Sequence, residues 1–486
     1  DYSVKTTGRL PPWPDSGMAA PRAPEAGPGV VRAPSKGRLV DIDRHIRKPQ
    51  LKGPTSRRPW TGVHRIRKGL DLPLSGAPEQ RLEEARPVAH AALVAADYPG
   101  LKPSMEVQIG DRVMCGQPLL RDKVEPDLAY ASPAAGKVVA IHRGERRRLL
   151  SVVVEVDPAA CEDRAHEFAF DAYTGASPAH LESAAVRALL LESGLWSSFR
   201  TRPYSRVPAP GTRPAAIFVT AMDTHPLAPD PEVVLAGREK DFAAGLKAVA
   251  KLTDGNTYLC TAGRSGLSPP EGNILHERFE GPHPAGVPGT HIHLLEPVHR
   301  DKTVWHMGYQ DVAAIGHLFL TGRPDPSRVI ALAGPSVRRP RLLRTRMGAA
   351  VDELVADELV EGEHRVISGS VLGGRSARGA EVGYMGRYHN QVTVLPEGRR
   401  RELLGWLKPG RNTFSVTNAF VSALRRDRPL SLSTTTNGEP RPMVPIGTYE
   451  AVMPLDMEPT FLLRSLITGD LEQAEQLGCL ELDEED

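Results

Sequence analysis

Residues 192–222, ESGLWSSFRTRPYSRVPAPGTRPAAIFVTAM, decide how the rest of this chain is read. Ahead of them Leu181, Ala185, Val186, Leu189 and Leu190 recur at helical spacing, and Gly194 is a natural helix stop. Ala215–Met222 is an apolar run of strand length, as expected for a sheet covered on both faces. Helix, connection and buried strand together indicate an α/β protein. Where such a protein uses nucleotides, the connection is glycine-rich, because backbone amides must close on a phosphate with no Cβ in the way. Here the connection carries Trp196, Phe199, Arg200, Arg202 and Tyr204 instead.

Beyond this stretch the α/β pattern continues. Asp230–Pro231 supplies an N-cap and first helical position for a helical run through EVVLAGREKDFAAGLKAVAKL, residues 232–252. TYLCTAG (257–263) reads as the next strand, EGNILHERF (271–279) as a short helix and THIHLLEPV (290–298) as a third strand. This alternation predicts a Rossmann-like parallel sheet over residues 161–325. No G-x-G-x-x-G or Walker A sequence follows any of the strands, and TAGRSG (261–266) opens into Leu-Ser-Pro-Pro rather than a helix.

Towards the N-terminus, residues 98–157 alternate in short strands broken at Gly110–Asp111, Gly116–Gln117, Glu125–Pro126–Asp127 and Ala135–Gly136–Lys137. The V-x-x-G-D-x-V-x-x-G-Q…P-x-x-G-x-V pattern resembles the biotinyl/lipoyl-type barrel-sandwich hybrid, assigned here to residues 63–160. Lys123 is the nearest candidate for a modified lysine. It follows Gly116 by only seven residues and lacks flanking methionines, so the fold is read as a structural module. Residues 1–62 hold ten prolines and, from Arg32 onward, an excess of Lys and Arg, which predicts a flexible basic extension. Residues 328–372 run strand, proline-flanked turn, strand, helix from about Gly348, strand. That order resembles an SLBB-type β-grasp, with bounds 326–383. Residues 384–486 return to strand character in VGYMGRYHNQVTVL (382–395) and then become mostly helical from Phe414, with an acidic end.

Charge is balanced, 61 basic against 59 acidic residues, so no whole-chain field favours nucleic acid. No run of 18 apolar residues is present, which leaves the chain without a transmembrane segment of its own, and no N-terminal apolar core resembles a secretion signal. Cys115, Cys161, Cys260 and Cys479 are scattered, with no CxxC unit. His276, His283, His291, His293, His299, His306 and His317 cluster in sequence. His291 and His293 would share one face of the expected strand, yet no carboxylate stands at ligand spacing, and structural histidines are the reading. There is no G-x-S-x-G elbow, and no catalytic, cofactor-binding or metal-binding residues emerge. Arg387, Tyr388, His389 and Asn390 form an unusual polar–aromatic cluster, read either as a structural turn or as a docking or quinone-sensitive site.

IRKGLDLPLSGAPEQ (66–80), DYPGLKPSMEVQIGDRV (97–113), TVWHMGYQDVAAIGHLFLTGR (303–323), LAGPSVRRPRLLRTRMGA (332–349), GRYHNQVTV (386–394), STTTNGEPRPMVPIGTYEAVMPLDM (433–457) and GCLELDEED (478–486) resemble the A subunits of Na+-translocating NADH:quinone oxidoreductases. The resemblance implies a peripheral subunit on the cytoplasmic side of a six-subunit complex of the bacterial inner membrane. That complex passes electrons from NADH to ubiquinone and exports sodium. NADH, flavins and iron centres are expected in other subunits, so this one is expected to be cofactor-free. The membrane-embedded B subunit and the C subunit of the same complex are its expected partners, with ubiquinone a further candidate contact. More distant relatives, the C subunit of Rnf complexes and the flavin-bearing subunit of complex I, carry a glycine-rich flavin loop where this chain has LWSSFRTRPYSRVPAP (195–210). The loop is therefore expected to be filled in by Trp196 and Phe199. A flavin-binding, NADH-oxidising subunit is the alternative, and a biotinyl or lipoyl carrier a second one. The family begins near residue 64 of this numbering and is expected to continue past Asp486 with a cysteine-containing segment.

Overall fold

The computed structural model describes residues 62–158, 168–399, 405–425, 428–436 and 442–486. The expected basic extension, apart from residue 62, and Cys161 lie outside the described residues. Strands β1 (Val63–Arg65) and β2 (Glu79–Glu84) come first and do not pair with each other; each joins a sheet formed mainly by later sequence.

The sandwich expected from the alternating pattern follows. One sheet has the order β3 (His90–Val94), β9 (Leu149–Val156), β8 (Gly136–Arg143), β5 (Arg112–Val113); the other has β4 (Pro103–Met105), β6 (Pro118–Asp122), β7 (Ala129–Ala131). Alternation places Val138, Val152 and Val154 inward with no exposure, and an irregularity in the β6–β7 pairing between Pro118 and Leu120 lets the consecutive Leu119 and Leu120 both be buried. At about 1.5–3 kcal/mol per fully buried aliphatic side chain, this inner face is the module's main source of stability. These residues belong to one apolar cluster with the core of the α/β domain, so the two modules share their interior. Lys123 is exposed, in the β6–β7 connection.

The α/β domain begins with α1 (Ser183–Glu192), closed by Gly194 at φ +72° as the sequence predicted. Then come β10 (Arg200–Arg202), β11 (Ala216–Ala221), α2 (Pro231–Leu235), α3 (Glu239–Val249), β12 (Asn256–Ala262), β13 (Ile274–Glu280), α4 (Pro288–Leu295), β14 (Val304–Gly308) and α5 (Tyr309–Thr321). The sheet order is β1-β13-β12-β11-β14-β10, parallel except for β10. Asp230 caps α2 by accepting from the Glu232 amide at 2.9 Å, with Pro231 in the first turn. Helices α3 and α5 meet backbone to backbone at Gly245 and Gly316: a Cβ on Gly316 would overlap the carbonyl oxygen of Asp241, and one on Gly245 that of Val312. Two expectations are corrected here. Residues 274–280, expected as helix, are a strand paired with β12 from Thr257↔Ile274 to Ala262↔Phe279. Residues 288–295, expected as strand from Thr290, are α4, which places Ile292 in the apolar layer over Phe218 and Phe279. Crossing from β13 to the parallel strand β14, on the far side of β12 and β11, requires a covering element on that face.

The third sheet is built from β2 together with β15 (Ser327–Ala333), β16 (Arg341–Arg346), β17 (His364–Ser368), β18 (Arg375–Ser376) and β19 (Gln391–Pro396), with α6 (Val351–Leu354) packed on it. Its order is β18-β17-β19-β15-β16-β2. The expected strand–turn–strand–helix–strand order is observed. Strand β19 adds to it beyond residue 383, running parallel to β15. The C-terminal region is less helical than expected: described residues 405–447 hold only short 3-10 turns, and α7 (Thr448–Val452), α8 (Pro459–Thr468) and α9 (Leu471–Gln476) follow.

Candidate functional site

The connection after α1 is packed solid from Leu195 to Phe199, whereas Tyr204 further along it is exposed. Trp196 and Phe199 are wholly buried and lie edge-on or tilted to Trp305 of β14, with ring centroids 5.3 and 5.5 Å away. Trp196 Nε1 donates to the Pro208 carbonyl at 2.8 Å, which satisfies its one polar atom. A Cβ on Gly194 would press on Ala131 of β7, so the turn is wedged beneath the sandwich.

The four residues singled out from 387 to 390 meet this connection and two further modules. Arg387 is buried: Nη1 donates to Asp311 Oδ1 at 2.7 Å, Nη2 to Ser198 Oγ at 2.7 Å, and its backbone amide to Asp97 Oδ2 at 2.8 Å. Asp311, in the first turn of α5, also accepts from Arg328 Nη2 at 2.7 Å. Burial works against the Asp311 charge, but Arg328 and then Arg387 outweigh it and hold the carboxyl below its ordinary range. Tyr388 donates to the Ser197 carbonyl at 2.8 Å and lies under the Arg200 guanidinium, 4.9 Å from ring centroid to Cζ. His389 Nδ1 shares a hydrogen with Ser368 Oγ at 2.8 Å, and burial drives its pKa down to about 3, so the ring is neutral. Asn390 Oδ1 accepts from Gln310 at 3.1 Å. The cluster is thus an internal junction among the sandwich (Asp97), the 195–198 turn, the start of α5 and the β17 sheet. Asp97, Ser198 and Asp311 were not evident from sequence, because nothing in a local pattern links residue 387 to partners 76 to 290 positions away.

Arg200 and Arg202 project from one face of β10 and meet the acidic segment 481–486. Arg200 Nη2 donates to Asp483 Oδ2 at 2.8 Å. Arg202, with 0% exposure, donates to Glu485 Oε1 at 2.8 Å, Asp486 Oδ2 at 2.6 Å and the Glu481 carbonyl at 2.9 Å. His293 on α4 joins them through Glu481 at 2.8 Å. Burial opposes the Asp483 charge, but Arg202 and Arg200 lower its pKa overall. The sequence displayed both halves of this clamp, the paired arginines and the acidic run, without indicating that they meet.

The other histidines are dispersed. His291, two residues before His293 on a helix rather than a strand, bonds the Ala285 carbonyl at 3.0 Å, and burial takes its pKa to about 3. His276 bonds Thr261 and His306 is buried; His283 bonds Thr224 and lies tilted against His225, which pairs with Asp223 at 2.7 Å. Among the described residues, no three His, Cys, Asp or Glu side chains gather as a metal site.

A model described as the NqrA N-terminal barrel-sandwich hybrid domain matches residues 64–157, the NqrA second alpha/beta domain matches 181–324, and the NQRA C-terminal domain matches 329–379. The A subunit of the Na(+)-translocating NADH-quinone reductase of Cellvibrio japonicus (strain Ueda107) is 53% identical over 423 residues, covering 87% of this chain and 93% of that protein. Its counterpart in Pseudomonas aeruginosa (strain UCBPP-PA14) is 54% identical over 425 residues with the same shares. That of Vibrio campbellii (strain ATCC BAA-1116) is 49% identical over 421 residues, again with 87% and 93% covered. Among solved structures, an NAD+-reducing [NiFe]-hydrogenase aligns with 63% of each chain at a TM-score of 0.35 and 14% identity, too remote to carry an argument. Three matched domains in chain order and relatives near half-identical over most of the sequence place the chain in the NqrA family, the A subunits of Na(+)-translocating NADH-quinone reductases.

Proposed function

We propose that this chain is a cofactor-free docking subunit of an NADH–quinone reductase that couples electron transfer to sodium export, seated on the cytoplasmic face of the membrane-embedded B subunit with the C subunit close by. The activity belongs to the complex, and among the described residues no helix is long and apolar enough to cross a membrane. The observation that carries the cofactor-free reading is the packed 195–199 stretch of the connection. Trp196 and Phe199, each with 0% exposure, fill it with the chain's own side chains. The strand order β13-β12-β11-β14 supports a Rossmann-like sheet, whose ligands would lie at the crest where successive connections diverge. That crest is built over: Asp311, at the start of α5 just beyond β14, is occupied by Arg387 and Arg328.

Docking is supported by the C-terminal region, where α8 and α9 turn Leu462, Ser465 and Ala474 inward and leave Phe461, Leu466, Ile467 and Leu471 about half exposed or more. Leu407, Val421, Leu424, Val444 and Ile446, elsewhere in the C-terminal region, are exposed as well. Ubiquinone is a secondary candidate contact of the chain. The test is an ultraviolet–visible spectrum of the purified chain, with released cofactor assayed after denaturation. A colourless protein is expected; a stoichiometric flavin would overturn the reading in favour of an NADH-oxidising flavoprotein.

A further inference from the structure

We propose that Arg200, Arg202 and the first turn of α4 form a binding site for a small molecule carrying two adjacent phosphate groups, and that the acidic segment 481–486 occupies it as a tethered ligand. This goes beyond the docking role and does not rest on it. Arg202 is the primary evidence. A guanidinium with no exposure must be neutralised, and its partners all come from one short segment: Asp486, Glu485 and the Glu481 carbonyl, with Asp483 at 3.6 Å. Without that segment the site is two forked donors projecting from one strand face, about 7 Å apart along the strand. Each fork can take a phosphate through two parallel charge-assisted hydrogen bonds.

A second observation comes from α4. The Asp486 carboxylate lies against Gly289 in the helix's first turn, where a Cβ would overlap it, so the glycine leaves room for an anion at the positive end of the helix dipole. No side chain caps this helix. A third is incomplete saturation. Arg200 Nε, Arg202 Nε and His306 Nε2 are buried without a partner, as is Asp486 Oδ1. His306 stands opposite Arg200 in the β10–β14 pairing. The acidic segment therefore supplies three carboxylates to two guanidiniums and still leaves polar atoms unbonded. A ligand with more acceptors per unit volume, such as a diphosphate, satisfies more of them.

A tethered competitor acts at an effective concentration of about millimolar, so weakening it should raise the apparent affinity for an external ligand by about tenfold or more. The experiment uses the full chain and inorganic pyrophosphate at low ionic strength, followed by titration calorimetry. The variant D483N/E485Q/D486N is expected to bind one pyrophosphate at least about tenfold more tightly than wild type, and adding Arg202→Met should abolish that binding. If the triple variant keeps the wild-type near-ultraviolet circular dichroism of its buried tryptophans and binds no pyrophosphate, the proposal is wrong. Equal affinity in wild type also overturns it. Binding of a synthetic 478–486 peptide by the triple variant without binding of pyrophosphate would overturn the diphosphate assignment in favour of an acidic-peptide site. A measurement on wild type covers the case in which the triple variant does not fold. Pyrophosphate should speed amide exchange across 479–486 about tenfold or more, while sodium chloride at equal ionic strength should not; equal effects of the two would overturn the proposal.

Discussion

Changing Asp311 to Asn should damage this protein more than removing either arginine that binds it. Asp311 is shared by Arg328 and Arg387, each at 2.7 Å, and all three side chains are buried. Arg387→Met leaves Asp311 with Arg328, so the lost interaction is one charged hydrogen bond and the Ser198 contact, about 2–3 kcal/mol. Asp311→Asn leaves two buried guanidiniums with no anion between them, in the range of about 3–5 kcal/mol for a broken buried pair and towards its upper end. Urea unfolding followed by tryptophan fluorescence reads both, since Trp196 and Trp305 pack beside the turn that carries Ser198. In the double variant the costs should fall short of additivity, because Arg387→Met removes one of the stranded charges. The acid limb carries the same information. Asp311 titrates below its unfolded value, so its stabilisation is full above the ordinary carboxylate pKa and disappears as the pH falls through the lower folded value. If Asp311→Asn costs no more than Arg387→Met, or both cost less than about 1 kcal/mol, the junction does not hold the modules together as described.

Gly316→Ala should destabilise the chain by about 1–3 kcal/mol or more, because its Cβ meets the Asp241 carbonyl; Gly211→Ala, with nothing within 4 Å, is the neutral control in the same thermal melt. His389 and His291, both taken to about 3 by burial, and His283, taken to about 4, refuse protons that the unfolded chain accepts near pH 6.5. Stability should therefore fall as the pH drops from about 6.5 to 4, and His389→Gln should lower the slope by up to about 1.4 kcal/mol per pH unit, read from urea midpoints at each pH. Replacing exposed Phe461 and Ile467 by Ser should leave stability within about 0.5 kcal/mol while abolishing co-purification with the membrane subunits; unchanged co-purification would place docking elsewhere.

The elements readable from sequence were those whose own pattern matched their environment. β11 is apolar apart from Thr220 because it is covered on both faces, and α3 shows its period because one side meets α5. The exchange of helix and strand between residues 271 and 298 arose where local pattern is weakest. LHER has a helical composition, yet residues 274–280 lie between β1 and β12 in the sheet. THIH alternates like a strand, yet its segment must cover Phe218 and Phe279. Pro288 at the first helical position was the one available local signal for α4. The 387–390 cluster stood out by composition, but its role depends on Asp97, Ser198 and Asp311, which only the folded chain brings near it. The clamp on the acidic segment was hidden in the same way, by about 280 intervening residues.

The pairing of β1 and β2 also sets a timetable for synthesis. β1 must wait for Arg278, 215 residues after Val63, and β2 for Arg341, 262 residues after Glu79. At about 5–20 residues per second, β1 spends roughly 10–40 seconds on the ribosome before its partner exists. Throughout that interval the emerging chain carries two strands whose sheet partners have not yet been made. A translational pause placed between codons 84 and 278 would lengthen that exposure, whereas one placed after codon 346 would not. For this chain, a pause in the first of these windows is therefore expected to lower the yield of folded protein, and one after codon 346 is not.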